Sequence, residues 1–289
     1  MTQATEVYLT VSEVAALLRL KERRIYALVR SGAIPAHRVT GRLLFARDRI
    51  EAWLAAREAA APADGAPAVL VGSHDPLLDW ALRESGSGLA SFCDGSLDGL
   101  MRMARGGAIA AGVHLTEPGG AWNVAHVKAH LPHAPIVLLQ WGWRERGLIV
   151  PPGNPLRLGG IGDLAGRRLV GRQERAGSQL LLDDLLGREG VTPAAMTEIA
   201  RSEADAALAV ADGKGDAALG LACMARQYRL GFVPVLRERF DLAIDRRAYF
   251  EPALQRLVRF CRSSALARKA GELGGYDLSR QLDVEYNAP

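Results

Sequence analysis

The stretch LTVSEVAALLRLKERRIYALVRSGAIPAHRVTGRLLFARDRIEAWL, residues 9–54, decides the architecture of the amino-terminal end. Thr10 followed three residues later by Glu13 forms a capping box and places a helix start there. Val14, Leu17 and Leu18 then share one apolar face at helical spacing. A second helix is predicted over about 21–31, with Ile25, Leu28 and Val29 turned inward and Gly32 placed to stop it. Ile34 to Val39 and Arg42 to Phe45 flank Thr40-Gly41 and read as a two-stranded wing turning at Gly41. A third helix over about 47–56 closes the unit through Ile50, Trp53 and Leu54. The outward residues of the second helix are Lys21, Arg23, Arg24 and Tyr26. A helix of this size fits the major groove of DNA, and arginine is the commonest side chain reading guanine there. On the wing, Arg38 and Arg42 are placed to reach a phosphate or a minor groove.

The charge distribution supports the same reading. Residues 1–60 hold 10 Lys+Arg and 6 Asp+Glu, so of the chain's 36 and 32 the remainder holds 26 and 26. The whole surplus of +4 therefore sits in the first fifth of the chain, where a phosphate backbone would attract it. No apolar run approaches the roughly 18–20 residues a membrane helix needs. The first residues, MTQATEVYLT, lack the basic-then-apolar order of a signal peptide, so a cytoplasmic protein is expected. Cys93, Cys223 and Cys261 are odd in number and far apart, which argues for buried thiols rather than a disulfide framework or zinc site.

After Ala-rich sequence and Pro62, Gly65 and Pro67, which read as a short linker, the texture changes. Apolar runs at Ala68–Val71, Ser91–Cys93, Ile109–Val113, Ile136–Leu139, Leu148–Val150, Leu169–Val170, Ala217–Leu221 and Phe232–Leu236 alternate with helix-like stretches. That order indicates an α/β fold with mostly parallel strands. In two places Gly-Ser follows a strand and opens a helix: Gly72-Ser73 and Gly95-Ser96. A third is Ala176-Gly177-Ser178, shortly after Arg172. Free backbone N–H groups, a hydroxyl and the positive end of a helix dipole converge at such points, so three in one chain point to an anion cradle. Arginine suits oxyanions, which makes Arg172 a contributor. His114, at a strand end, and Trp143 and Tyr228 are further candidates for the cleft wall.

Residues 8–54 resemble the excisionase/MerR-like winged helix-turn-helix family, departing from it at Lys21, where a Ser, Thr or Asp cap is usual. From about 68 to 280 the chain resembles the periplasmic-binding-protein-like effector domain related to molybdate-binding proteins. The carrying motifs are GSHD (72–75), DGSLDGL (94–100), AGVHL (111–115), NVAHVKAHLP (123–132), WRERGLIVPPGNP (143–155), GRQERAGSQLLLD (171–183) and LGGYD (273–277). The resemblance implies a type II two-lobed α/β domain over 67–289 behind a head over 1–62. One lobe would span about 68–145 and 243–289, the other about 146–242. It also implies that Ser73 and Ser96 from one lobe, and Ser178 with the Gly177 amide from the other, grip the anion. The family's third loop reads close to RGSGTR, whereas here it is Glu174-Arg175-Ala176-Gly177-Ser178-Gln179.

The expected function is a one-component DNA-binding regulator sensing a small oxyanion, first of all molybdate or tungstate. A carboxylate or a phosphate- or pterin-like ligand, or a role as a molybdenum-cofactor enzyme or assembly factor, are the alternatives. No GxSxG, HExxH or Walker loop occurs, so no catalytic constellation is expected. No cofactor or metal is expected either, although His126, His130 and His133 fall near one helical face. The partners expected are an operator on double-stranded DNA, an anionic effector and a second copy of the chain.

Overall fold

A computed structural model describes residues 8–18, 21–30, 34–51, 53 and 66–288. Gly32, Leu54 and most of the predicted linker lie outside the described residues. The chain divides into two compact units between Gly65 and Ala66.

In the first unit, helix α1 (Val11–Leu17) opens on the Thr10–Glu13 capping box, with both reciprocal hydrogen bonds made. Helix α2 (Glu22–Arg30) begins one residue after Lys21. Strands β2 (His37–Val39) and β3 (Arg42–Ala46) form the wing. Thr40 and Gly41 both have positive φ, the backbone a two-residue hairpin with right-handed strand twist requires. The alternation of the wing was legible, but β1 (Tyr8–Leu9), which pairs with β3, was too short to stand out. Val14, Ala15, Ile25, Ile34, Phe45 and Ile50 make the core, the last from a third helix (47–51, α3).

The second unit is built on one ten-stranded mixed sheet. Its strands are β4 (Val69–Gly72), β5 (Ala90–Phe92), β6 (Ala110–Val113), β7 (Ile136–Val150), β8 (Arg168–Arg172), β9 (Ala195–Ala200), β10 (Ala217–Leu221), β11 (Gly231–Asp245), β12 (Tyr276–Asp277) and β13 (Val284–Asn287). The main order is β5-β4-β6-β11-β7-β10-β8-β9. Strands β5, β4 and β6 are parallel to one another, as are β9, β8 and β10. Each trio has the same order, second-first-third. The expected parallel pairing therefore holds within each trio and fails at the centre, where β7 and β11 run antiparallel to both neighbours.

Strands β7 and β11 are 15 residues each and pass through both halves. Sequence reading cut β7 into two strands because charged WRERG interrupts its apolar run. In the structure that segment keeps the period of two: Arg144 and Arg146 point inward and Glu145 outward. Two apolar clusters pack one half, around Leu77, Trp141 and Phe240 and around Leu100, Val113 and Leu138. Two more pack the other, around Ile149, Val210 and Met224 and around Leu164, Leu182 and Leu219. The domain is thus two-lobed, with the long strands as the connection.

Helices follow the parallel strands. The ones that matter for the cleft are α4 (Pro76–Glu84), α5 (Ser96–Ala104), α7 (Gly177–Glu189) and α8 (Glu203–Ala211). Helix α6 (Val124–His130) carries two of the three clustered histidines. His126 Nε2 faces the Thr116 carbonyl and His130 Nδ1 the His126 carbonyl, so each has one ring nitrogen engaged by the backbone. Among the described residues no group of three or more His, Cys, Asp or Glu is arranged to hold a metal. No helix among them is long and apolar enough to cross a membrane. Cys223 and Cys261 are buried and Cys93 partly so; all three thiols are free.

Candidate functional site

The carboxyl ends of the parallel strands converge between the lobes. In open α/β sheets this is where ligands bind, because the helices that follow present their amino termini there. Ser73 follows β4, Ser96 opens α5 after β5, and His114 follows β6. From the other lobe come Arg172 at the end of β8, Gly177 and Ser178 at the start of α7, and Glu203 at the start of α8. Ser73, Gly95, His114, Arg172, Ser178 and Glu203 line one small cavity.

The polar groups there are largely spoken for. Ser73 Oγ and Ser96 Oγ lie 2.7 Å apart, and Ser96 Oγ accepts the His114 N–H at 3.2 Å. The serine pair has two hydroxyl hydrogens and uses one between its members, so one is left for the cavity. Arg172 is anchored by Nε to the Ala200 carbonyl at 2.9 Å, by Nη1 to Glu203 at 3.1 Å and by Nη2 to the Arg201 carbonyl at 3.3 Å. Gly72 is not among the residues lining the cavity. It lets β4 and β6 approach, since a Cβ there would lie 2.3 Å from the Gly112 carbonyl oxygen. Trp143 packs edge-on against Trp122, and Tyr228 packs on the core of the second lobe. Neither lines the cavity, so the structure does not bring these two together with the rest. Their aromatic character gave no way to tell packing from ligand contact.

The lobes are in contact. A Cβ on Gly95 would sit 2.9 Å from the Arg175 carbonyl oxygen. Arg175, before α7, pairs with Asp98 on α5 at 3.3 Å. The enclosed space is about 10 Å³, room for about one water.

Beneath the cavity runs a chain of buried ion pairs. Asp75 takes Arg144 Nη1 at 2.9 Å, Glu238 takes Arg144 Nη2 and also Arg146 Nε at 2.7 Å, and Glu203 takes Arg146 Nη2 at 3.0 Å and Arg172. Asp75 also accepts from Trp141 Nε1 at 3.0 Å and from the Tyr276 hydroxyl at 2.8 Å. Three guanidinium groups thus face three carboxyl groups, spanning both lobes and the two long strands. Burial opposes ionisation of Glu203, but Arg146 and Arg172 outweigh it and hold the group down to about 2. Burial likewise works against ionised Glu238, and Arg144 and Arg146 hold it well below the usual range. Burial lowers His114 despite Glu238 beside it, so the ring is neutral near pH 7.

The exposed basic face lies in the first unit. Lys21, Arg23, Arg24, Tyr26, Arg38 and Arg42 are all exposed. Tyr26, Arg38 and Arg42 line a groove of about 470 Å³ between α2 and the wing. Arg30, seven residues after Arg23 and so on the same helical face, is exposed too and was missed.

Residues 80–262 match the family described as PBP superfamily domain. The chain belongs to that superfamily. Residues 8–58 match a helix-turn-helix domain. The Bacillus subtilis protein YvgK is 28% identical over 292 residues, spanning 93% of this chain and 94% of YvgK. A Clostridium pasteurianum protein encoded in the 5′ region of a ferredoxin gene is 31% identical over 104 residues, 35% of this chain and 92% of that one. Among solved structures, a phosphate-bound substrate-binding protein from Clostridium perfringens superposes with TM-score 0.56 at 12% identity, covering 74% of this chain and 99% of that one. The regulatory domain of MetR, a LysR family regulator from N. meningitidis, gives 0.50 at 16% identity, covering 74% and 98%.

In the PBP domain, sequence reading found the strand-end serines but not Asp75, Arg144, Arg146, Glu203 or Glu238. Alternation in the segments Arg144-Glu145-Arg146 and Arg237-Glu238-Arg239 was the available signal. It marks one charged face turned inward on each long strand.

Proposed function

We propose that this protein is a one-component transcriptional regulator. Its head, residues 1–62, binds an operator on double-stranded DNA, and its PBP domain, residues 67–289, senses a small anion. The observation that carries this reading is the convergence of Ser73, Gly95 and His114 with Arg172 and Ser178 on one small cavity, with Ser96 hydrogen-bonded to Ser73 behind it. Helices α5 and α7 present their amino termini at the same place. The cavity favours a single tetrahedral oxyanion over a pterin-sized molecule, because the walls must part least for the smallest ligand. Molybdate, tungstate, sulfate and phosphate are of that class, and phosphate occupies the Clostridium perfringens protein.

Closure of the lobes then sets the placement of two heads in a homodimer. Recognition helices of a dimer must span about 34 Å, one turn of DNA, so a small change in separation gates binding. A protein that acts on DNA in this way works in the cytoplasm. The reading does not require catalysis.

The test begins with selection of DNA from a random pool by the full-length protein, followed by mobility shifts with and without each anion. A ligand at about 100 times its Kd should also add roughly 2.7 kcal/mol of stability. Failure to enrich any DNA sequence removes the regulator, and failure of every anion to change either readout removes the sensor.

A further inference from the structure

The cavity contains acceptors as well as donors. His114 Nδ1 lies 3.0 Å from Glu238 Oε2. A carboxylate only accepts, so Nδ1 carries the ring proton and donates it. In a neutral ring Nε2 is then a bare lone pair, and among the described residues it has no hydrogen-bond partner. That edge faces the start of α7: a Cβ on Gly177 would come within 2.9 Å of Nε2. Glu203, which also lines the cavity, adds a second acceptor. Its Oε1 takes Arg146 and Arg172, while Oε2 receives only Arg146 Nη1 at 3.4 Å.

The donors are the spare hydroxyl hydrogen of the Ser73–Ser96 pair, the Ser178 hydroxyl and the first amides of α7. The buried charges behind them cancel, Arg144, Arg146 and Arg172 against Asp75, Glu238 and Glu203, and the other two charged lining residues, Arg201 and Asp94, are opposite in sign. An oxygen atom without hydrogen placed against the His114 lone pair or the Glu203 carboxylate would meet repulsion at both. An O–H placed there would satisfy one of them. An acceptor left unanswered beside a bound ion disfavours that ion, which ranks ligands of equal size and charge.

Taking the anion-sensing reading as given, we infer that the effector is a tetrahedral oxyanion that keeps a proton at neutral pH, of which inorganic phosphate is the smallest. Hydrogen phosphate brings three acceptor oxygens to the serines and the α7 amides and one O–H to the His114–Glu203 side. Sulfate, molybdate and tungstate carry no proton at that pH and leave the acceptors unanswered.

Calorimetric titration of the full-length protein at pH 7.5 and constant ionic strength compares phosphate, sulfate, molybdate and tungstate. The expected result is phosphate binding at least tenfold tighter than each of the other three. Equal or tighter binding of any protonless ion overturns the inference and leaves an anion-sensing regulator standing. Absence of binding by all four overturns both. A second arm uses His114→Gln, whose terminal amide can turn an N–H toward the cavity. The phosphate-to-sulfate ratio should then fall to threefold or less; an unchanged ratio in the folded variant overturns the role given to His114.

Discussion

Gly177 backs directly onto His114: a Cβ on the glycine would lie 2.7 Å from the histidine carbonyl oxygen and 2.9 Å from ring atoms Cε1 and Nε2. The two residues belong to opposite lobes, and the contact is closed only because one of them has no side chain. Gly177→Ala should wedge the lobes apart. We expect anion affinity to fall at least tenfold with far-ultraviolet circular dichroism unchanged. Wild-type affinity in that variant would mean that closure at this point is not needed for binding.

Glu238 is the middle of the buried ion-pair chain, taking both Arg144 and Arg146 on β7. Removing one partner of a buried pair leaves charge that nothing compensates, at a cost of about 3–5 kcal/mol. Glu238→Ala should therefore lower the urea midpoint severely, and Glu238→Gln less, since the amide oxygen still accepts. A loss under about 1 kcal/mol for the alanine variant would show that water or rearrangement replaces the carboxylate.

Two buried carboxyls give opposite pH signatures. Burial pushes Asp241 up to about 7, with Arg239 and Asn123 opposing. An unfolded aspartate titrates near ~4, so between about 4 and 7 the folded chain holds a proton that the unfolded chain has lost. The contribution of Asp241 is present below that window and is lost as pH rises through about 7. Asp241→Asn should flatten this limb of a stability-versus-pH curve measured by urea. Glu203, held down to about 2, works the other way. Its contribution is present above about 4 and lost as pH falls toward 2. If the limb persists in Asp241→Asn, another group titrates there.

On the head, Arg23, Arg24 and Arg42 are exposed. Each one that neutralises a phosphate should, on change to Ala, reduce the slope of log affinity against log salt by about 1. A base contact would instead relax selectivity at one position, at about 1–3 kcal/mol. Filter binding at several salt concentrations separates the two. No change in either quantity for all three variants would move the DNA face away from α2 and the wing.

The capping box at Thr10 and Glu13, the wing turn and the strand-end serines were legible because each is local: a few residues at fixed spacing determine it. The continuity of β7 and β11 was not. Paired arginines look like a solvated loop until the partner strand supplies Glu238 directly opposite Arg144. Asp75 was passed over for a related reason. As the N-cap of α4 it reads as an ordinary helix start, and its bonds to Arg144, Trp141 and Tyr276 come from residues 69, 66 and 201 positions away. Trp143 and Tyr228 are the opposite case, conspicuous by type yet packed on Trp122 and on the second lobe's core rather than lining the cavity.

The path of the chain through the long strands also orders its birth on the ribosome. The core around Leu77 and Trp141 is completed by Phe240, Leu242, Leu254, Leu257 and Leu266. Strand β6 waits for residues 241–244 of β11 before it gains its second neighbour. The lobe translated first therefore cannot finish until β11 and the helices after it have been made. During synthesis the nascent chain holds an open sheet edge at β6 for more than a hundred residues, a length of time in which a chaperone has something to cover.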